Sequence, residues 1–74
     1  MLSRHAKNRL RRYVKYGITA ELVIQLVESE VAAGAEGDGM AFFPSGVGDF
    51  RIAFVAEDQA ATIKTIMPPR RSRL

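Results

Sequence analysis

His5, Arg9, Arg12 and Tyr16 recur at i, i+4, i+7 and i+11, a spacing that lines one side of a helix. Histidine is the side chain that exchanges protons near neutrality, and an arginine one turn away can steady the charge that develops on a phosphoryl oxygen. Such a stripe could attack a phosphodiester by acid/base chemistry. The plainer alternative for His5 is a surface or capping residue near a frayed terminus. Arg51 is the second candidate, because it interrupts an apolar strand pattern and could offer its rigid guanidinium fork to phosphate from an open sheet face. Its plainer alternative is a polar residue on the solvent face of a one-sided sheet.

The helix that carries the stripe is basic throughout. Arg4, Lys7, Arg9, Arg11, Arg12 and Lys15 give residues 1–16 six cations and no acid, whereas residues 17–66 hold two cations against eight acids. The C-terminal Arg70, Arg71 and Arg73 are positive again. Arg4, Lys7, Arg11 and Lys15 lie away from the apolar side, so they are expected to be solvated and to attract a phosphate backbone without regard to its sequence. Arg12, Arg70 and Arg71 are expected to join them as nucleic-acid contacts. His5 and Arg9, bordering the core, are expected to be better shielded and to form the catalytic group with Arg51.

The elements that must position these residues are legible from periodicity. Ser3 is a candidate N-cap, and Ala6, Leu10, Tyr13 and Val14 form one apolar helical face. Gly17 supplies a left-handed stop, Ile18 can fold back, and Thr19 can cap a second helix from about Ala20 to Val31. That helix should bury Leu22, Val23, Leu26, Val27 and Val31. The Gly-rich stretch 32–39 reads as a loop into a short strand, Met40 to Phe43, followed by a turn at Pro44 to Gly48. Alternation predicts a strand from Asp49 to Ala56 with Phe50, Ile52 and Phe54 on the core face. β-Branched content predicts another from Ala60 to Met67, ended by Pro68 and Pro69. Phe42 and Phe43 are expected in the core, and Lys64 and Thr65 on opposite faces. The expected fold is α+β, two N-terminal helices on a three- to four-stranded antiparallel sheet, with one domain over residues 1–69 and a basic tail over 70–74.

Several functions are set aside by the same residues. The chain of 74 residues has one His and no Cys, so no Cys/His zinc site is available and any support beyond a small core must come from a partner or oligomer. The acids match no calcium loop, and GAEGDG and PSGVGD lack the GxxxxGK[ST] pattern of a phosphate loop, so they read as turns. No metal or cofactor is expected. No run of apolar residues is long enough to cross a bilayer or to form a secretory signal, so a cytoplasmic protein with no membrane contact is expected.

HAKNRL, then GITAELV, FRIAFV and TIKTIMPPRR, resemble the small prokaryotic domains of unknown function related to the BrnT and RelE toxins. His5, Ala6, Arg9, Gly17, Ile18, Thr19 and Val23 match the first half of that pattern, and Arg51, Ile63, Thr65 and Ile66 the second. The chain departs from it by three extra residues before Gly17, where Arg12 stands in for an arginine that the pattern places directly before the glycine. The resemblance implies a RelE-like fold and a metal-independent endoribonuclease toxin that activates a 2′-hydroxyl against the adjacent phosphate. RNA, an antitoxin or other protein partner, and a homodimer are the expected associations. The alternative is a non-catalytic phage- or plasmid-encoded module that inhibits a host protein or nucleic-acid machine through its basic helix.

Overall fold

In the computed structural model, which describes residues 1–70, helix α1 spans Arg4–Tyr13 and tightens into a 3-10 turn at Val14–Tyr16. Helix α2 spans Ala20–Ala32, and strands β1 (Gly37–Ser45), β2 (Gly48–Glu57) and β3 (Ala60–Met67) form an antiparallel sheet in the order β1-β2-β3. Two helices therefore precede a three-stranded sheet and cover one of its faces, an α+β arrangement.

The caps form where the sequence places them. Ser3 accepts the Ala6 amide at 3.1 Å, and Thr19 accepts the Leu22 amide at 3.3 Å, each satisfying a donor that the first turn of a helix leaves open. Gly17, at φ 89°, closes the 3-10 turn with its amide on the Val14 carbonyl, and Ile18 folds back to full burial. Ser3 does more than cap. Its amide donates to the Ile63 carbonyl at 3.0 Å, its hydroxyl donates to the Lys64 carbonyl at 2.8 Å, and its own carbonyl accepts the Lys7 amide. Met1 adds two further bonds to β3, from its nitrogen to the Ala61 carbonyl and from the Ile63 amide to its carbonyl. The start of the chain is thus docked along the outer edge of β3, as a short parallel bridge of Leu2 with Ile63, and is not frayed.

One core joins the layers. Ala6, Leu10 and Tyr13 of α1, Ile18, and Val23 and Val27 of α2 meet Ala41, Phe50, Ile52, Phe54, Ala56, Ile63 and Ile66 of the sheet. Phe50 is fully buried between Tyr13 and Tyr16, with ring centroids 5.1 and 6.1 Å away in tilted geometry. Two residues of the helical segment that were expected in the core are outside it. The 3-10 turn advances each residue by about 120° instead of 100°, which carries Tyr16 onto Phe50 and leaves Val14 54 % exposed. In α2 the buried side is centred on Val23 and Val27 with Ile24 packed beside them, so Leu22 is left 42 % exposed.

The strands differ from expectation in three places. β1 is longer than Met40–Phe43, running through Gly37, Gly39 and Pro44. Gly39 pairs with Phe54, whose ring lies where a side chain would be: a Cβ there would sit 2.5 Å from the ring. Pro44 is tolerated because β1 is an edge strand. Phe42 points to the face without helices and is half exposed rather than core. In β3 a bulge sets Ala53 opposite Thr65 and Phe54 opposite Ile63, so Lys64 is the extra residue. Lys64 then reaches Asp38 at 3.7 Å across the open face, which puts it on the same face as Thr65 and not on the opposite one.

The turn joining β2 to β3 carries strain, because Asp58 and Gln59 both adopt left-handed backbone, at φ 51° and 63°. Gln59→Gly is expected to raise stability by about 0.5–1 kcal/mol in urea unfolding. Ser3→Ala is expected to lower it by about 1–2 kcal/mol, since it removes a cap and a bond to β3 together. A neutral result for Ser3→Ala would contradict its role in joining the two layers.

Candidate nucleic-acid interface

α1 holds its place through three buried residues and Ser3, and every other position on it is free to be polar. Five of those seven positions are filled by cations, and the other two are His5 and Asn8. No acid occupies its first turn, where the helix dipole favours one, and Arg11 and Arg12 occupy the last, where the dipole favours cations. Arg4 and Lys7 at i, i+3, and Lys7 and Arg11 at i, i+4, are like charges, each pair costing roughly 0.2–0.5 kcal/mol in an isolated helix. Among the described residues the one ion pair is Lys64 with Asp38, so no carboxylate neutralises any cation of α1. The helix therefore bears repulsion that only an anion from outside could relieve.

The stripe and the outer set are not divided as the sequence suggests. Arg9 and Tyr16 are half-buried, but His5 and Arg12 are exposed like Arg4, Lys7 and Arg11. Lys15 is exposed as expected, with its ammonium 5.3 Å from the centroid of the Tyr16 ring. Lys7 and Arg11 border a groove of about 450 Å³ between the two helices, lined also by Leu2, Leu10, Val14, Thr19 and Ala20. Exposed Val14 stands beside these two cations, so the basic surface has an apolar strip along it.

Arg51 is elsewhere. Phe50 packs on the helices and Arg51, next along the strand, points to the opposite face, so the sheet separates it from α1. Its Nη2 donates to the Pro68 carbonyl at 3.3 Å, while its Nε is buried without a partner. It lines a second groove, of about 700 Å³, with Met40, Phe42, Gly48, Asp49, Pro69 and Arg70. His5, Arg9 and Arg51 are thus not gathered into one catalytic group. Arg70, expected in a separate tail, belongs to this groove, because buried Pro69 packs close to Gly48 and returns the chain over the sheet. Asp49 offsets the charge of Arg51 and Arg70 there, so the groove is far less basic than α1. Arg71 lies outside the described residues. Among the described residues no three His, Asp or Glu side chains are grouped to hold a metal ion, and no helix is long and apolar enough to cross a membrane.

No protein-family model, curated protein or solved structure matches the chain.

The electrostatics of α1 make opposite demands on stability and on anion binding. Lys7→Glu should relieve two like-charge contacts, at Arg4 and Arg11, and raise stability by about 0.5–1 kcal/mol. Raising the salt concentration should stabilise the wild type and have a smaller effect on the variant. Thermal unfolding at low and high salt checks both, and an unchanged or lower midpoint for Lys7→Glu would show that the cations of α1 are not in mutual repulsion.

Proposed function

We propose that this chain is a small toxin-like protein that binds RNA in the cytoplasm, gripping the phosphate backbone with the cations of α1. The observation that carries the reading is a segment, α1 and the 3-10 turn after it, with six cations over residues 4–15 and no ion pair to any of them among the described residues. Arg4, Lys7, Arg11, Arg12 and Lys15 supply sequence-independent attraction, and half-buried Arg9 holds one phosphate more firmly than they do. Arg51 and Arg70, on the other face of the sheet, are not part of this grip. Cleavage is the further step of the reading, and it rests on His5 and Arg9 alone. His5 would move a proton at the 2′-hydroxyl or at the leaving oxygen while Arg9 steadies the phosphoryl charge.

A second reading is favoured by the apolar groove beside Lys7 and Arg11. An acidic, amphipathic protein segment would place apolar side chains on Leu10 and Val14 and its carboxylates on the rim, which is the chemistry of an antitoxin or of a host protein being inhibited. The two readings differ in their response to salt and in the ligand retained.

Fluorescence anisotropy with a short single-stranded RNA separates them. RNA binding through α1 predicts a log–log salt slope between about −2 and −4, reduced by about 0.7 for each cation removed. Lys7→Glu and Arg11→Glu together should weaken binding at least tenfold, and Arg51→Ala should leave it nearly unchanged. RNA incubated with the protein in EDTA tests cleavage, which should be lost in His5→Ala. Failure to bind RNA at low salt would remove the leading reading, and affinity indifferent to Lys7 and Arg11 would place the interface elsewhere.

A further inference from the structure

The two edges of the sheet are treated differently. On β3 the outward-facing Ala61 carbonyl, both backbone groups of Ile63 and the Lys64 carbonyl are all taken by Met1 and Ser3, and a bulge breaks the strand further. On β1 nothing comparable occurs. Ser45 pairs with Gly48 across a two-residue turn, and strand alternation then turns the backbone groups of Asp38, Met40 and Phe42 away from β2. Among the described residues no backbone or side-chain group bonds to them from outside the sheet. An open strand of this length is a template for another strand.

We propose that the edge of β1 pairs antiparallel with β1 of a second copy about a two-fold axis at Ala41, giving a continuous six-stranded sheet. The residues of the strand choose the occupant and the register. With Ala41 opposite Ala41 of the partner, Met40 faces Phe42 on the open side of the sheet, and Phe42 faces Met40, so the two exposed apolar residues of each copy, 42 % and 54 % exposed, cover one another. The outward-facing amides and carbonyls of Met40 and Phe42 meet as hydrogen-bonded pairs. Asp38 falls opposite Pro44, whose missing N–H costs little at the end of the ladder, and no like charges are brought face to face. Shifting the register by two residues sets Asp38 against Phe42 and loses this match. α1 lies on the helix layer, clear of the joined edges, so dimer formation and anion binding use different surfaces.

The absence of Cys from the chain makes a directed cross-link clean. Residues in a hydrogen-bonded antiparallel pair have Cα atoms about 5.5 Å apart, within the reach of a disulfide. Met40→Cys and Phe42→Cys are made separately, mixed and mildly oxidised. The mixture is expected to give several times more cross-linked dimer than either variant alone, and the wild type to show a mass that rises towards two chains with concentration in analytical ultracentrifugation. Phe42→Lys, at a position too exposed to endanger the fold, is expected to abolish that rise while keeping the wild-type circular dichroism. A wild type that stays monomeric at every concentration, equal yields from mixed and single variants, or a Phe42→Lys protein that still dimerises would each overturn the proposal. Retention of a heterologous strand-forming peptide by monomeric protein would assign the edge to a different partner, and would overturn it as well.

Discussion

Every polar group of Ser3 is engaged, and the rest of the architecture follows from where it is engaged. Its carbonyl and one lone pair of its hydroxyl start α1, while its amide and its hydroxyl proton hold β3. A helix of ten residues is marginal by itself in water, so α1 exists because Ser3 fixes its beginning on the sheet and Ala6, Leu10 and Tyr13 bury its inner side. The same contact closes one edge of the sheet, and that leaves β1 as the open one.

With its position secured by packing, α1 has no need of favourable surface charge. Its cations repel one another and oppose the dipole at its first turn, yet none is neutralised among the described residues. Five of the eleven lysines and arginines of the chain lie on α1, and a sixth, Lys15, on the 3-10 turn that follows it. The acids of the chain are kept to α2, the turns and the far face of the sheet, where they leave the field of α1 intact. A surface held in this condition is suited to a polyanion, and the binding would strengthen the fold by mass action.

The parts of the fold governed by local chemistry could be read from the sequence. Ser3 and Thr19 are caps, Gly17 is the left-handed stop, and the alternation of Phe50, Ile52 and Phe54 sets the core face of β2. What could not be read depends on contacts made across the chain. Val14 leaves the core where the helix tightens after Tyr13 and Tyr16 meets Phe50. Phe42 reads as core by residue type, yet its parity in β1 assigns it to the bare face. The β3 bulge, which turns Lys64 towards Asp38, has no local signature at all. The candidate site shows the same division: the charge on α1 was plain, whereas the separation of Arg51 from His5 and Arg9 required knowing which face of the sheet the helices cover. The order of helices and strands followed from caps, periodicity and β-branched content, whereas the resemblance to BrnT- and RelE-related domains joined Arg51 to a helix from which the sheet divides it.

The central claim is that α1, and not the open face of the sheet, is the surface that meets RNA. Amide chemical shifts followed by nuclear magnetic resonance during titration with a short single-stranded RNA test it most directly. The account predicts that the largest changes fall on residues 4–16 and along the groove at Thr19 and Ala20, and that they collapse as salt is raised. Changes concentrated on Met40, Phe42, Arg51 and Arg70, with α1 unperturbed, would contradict it.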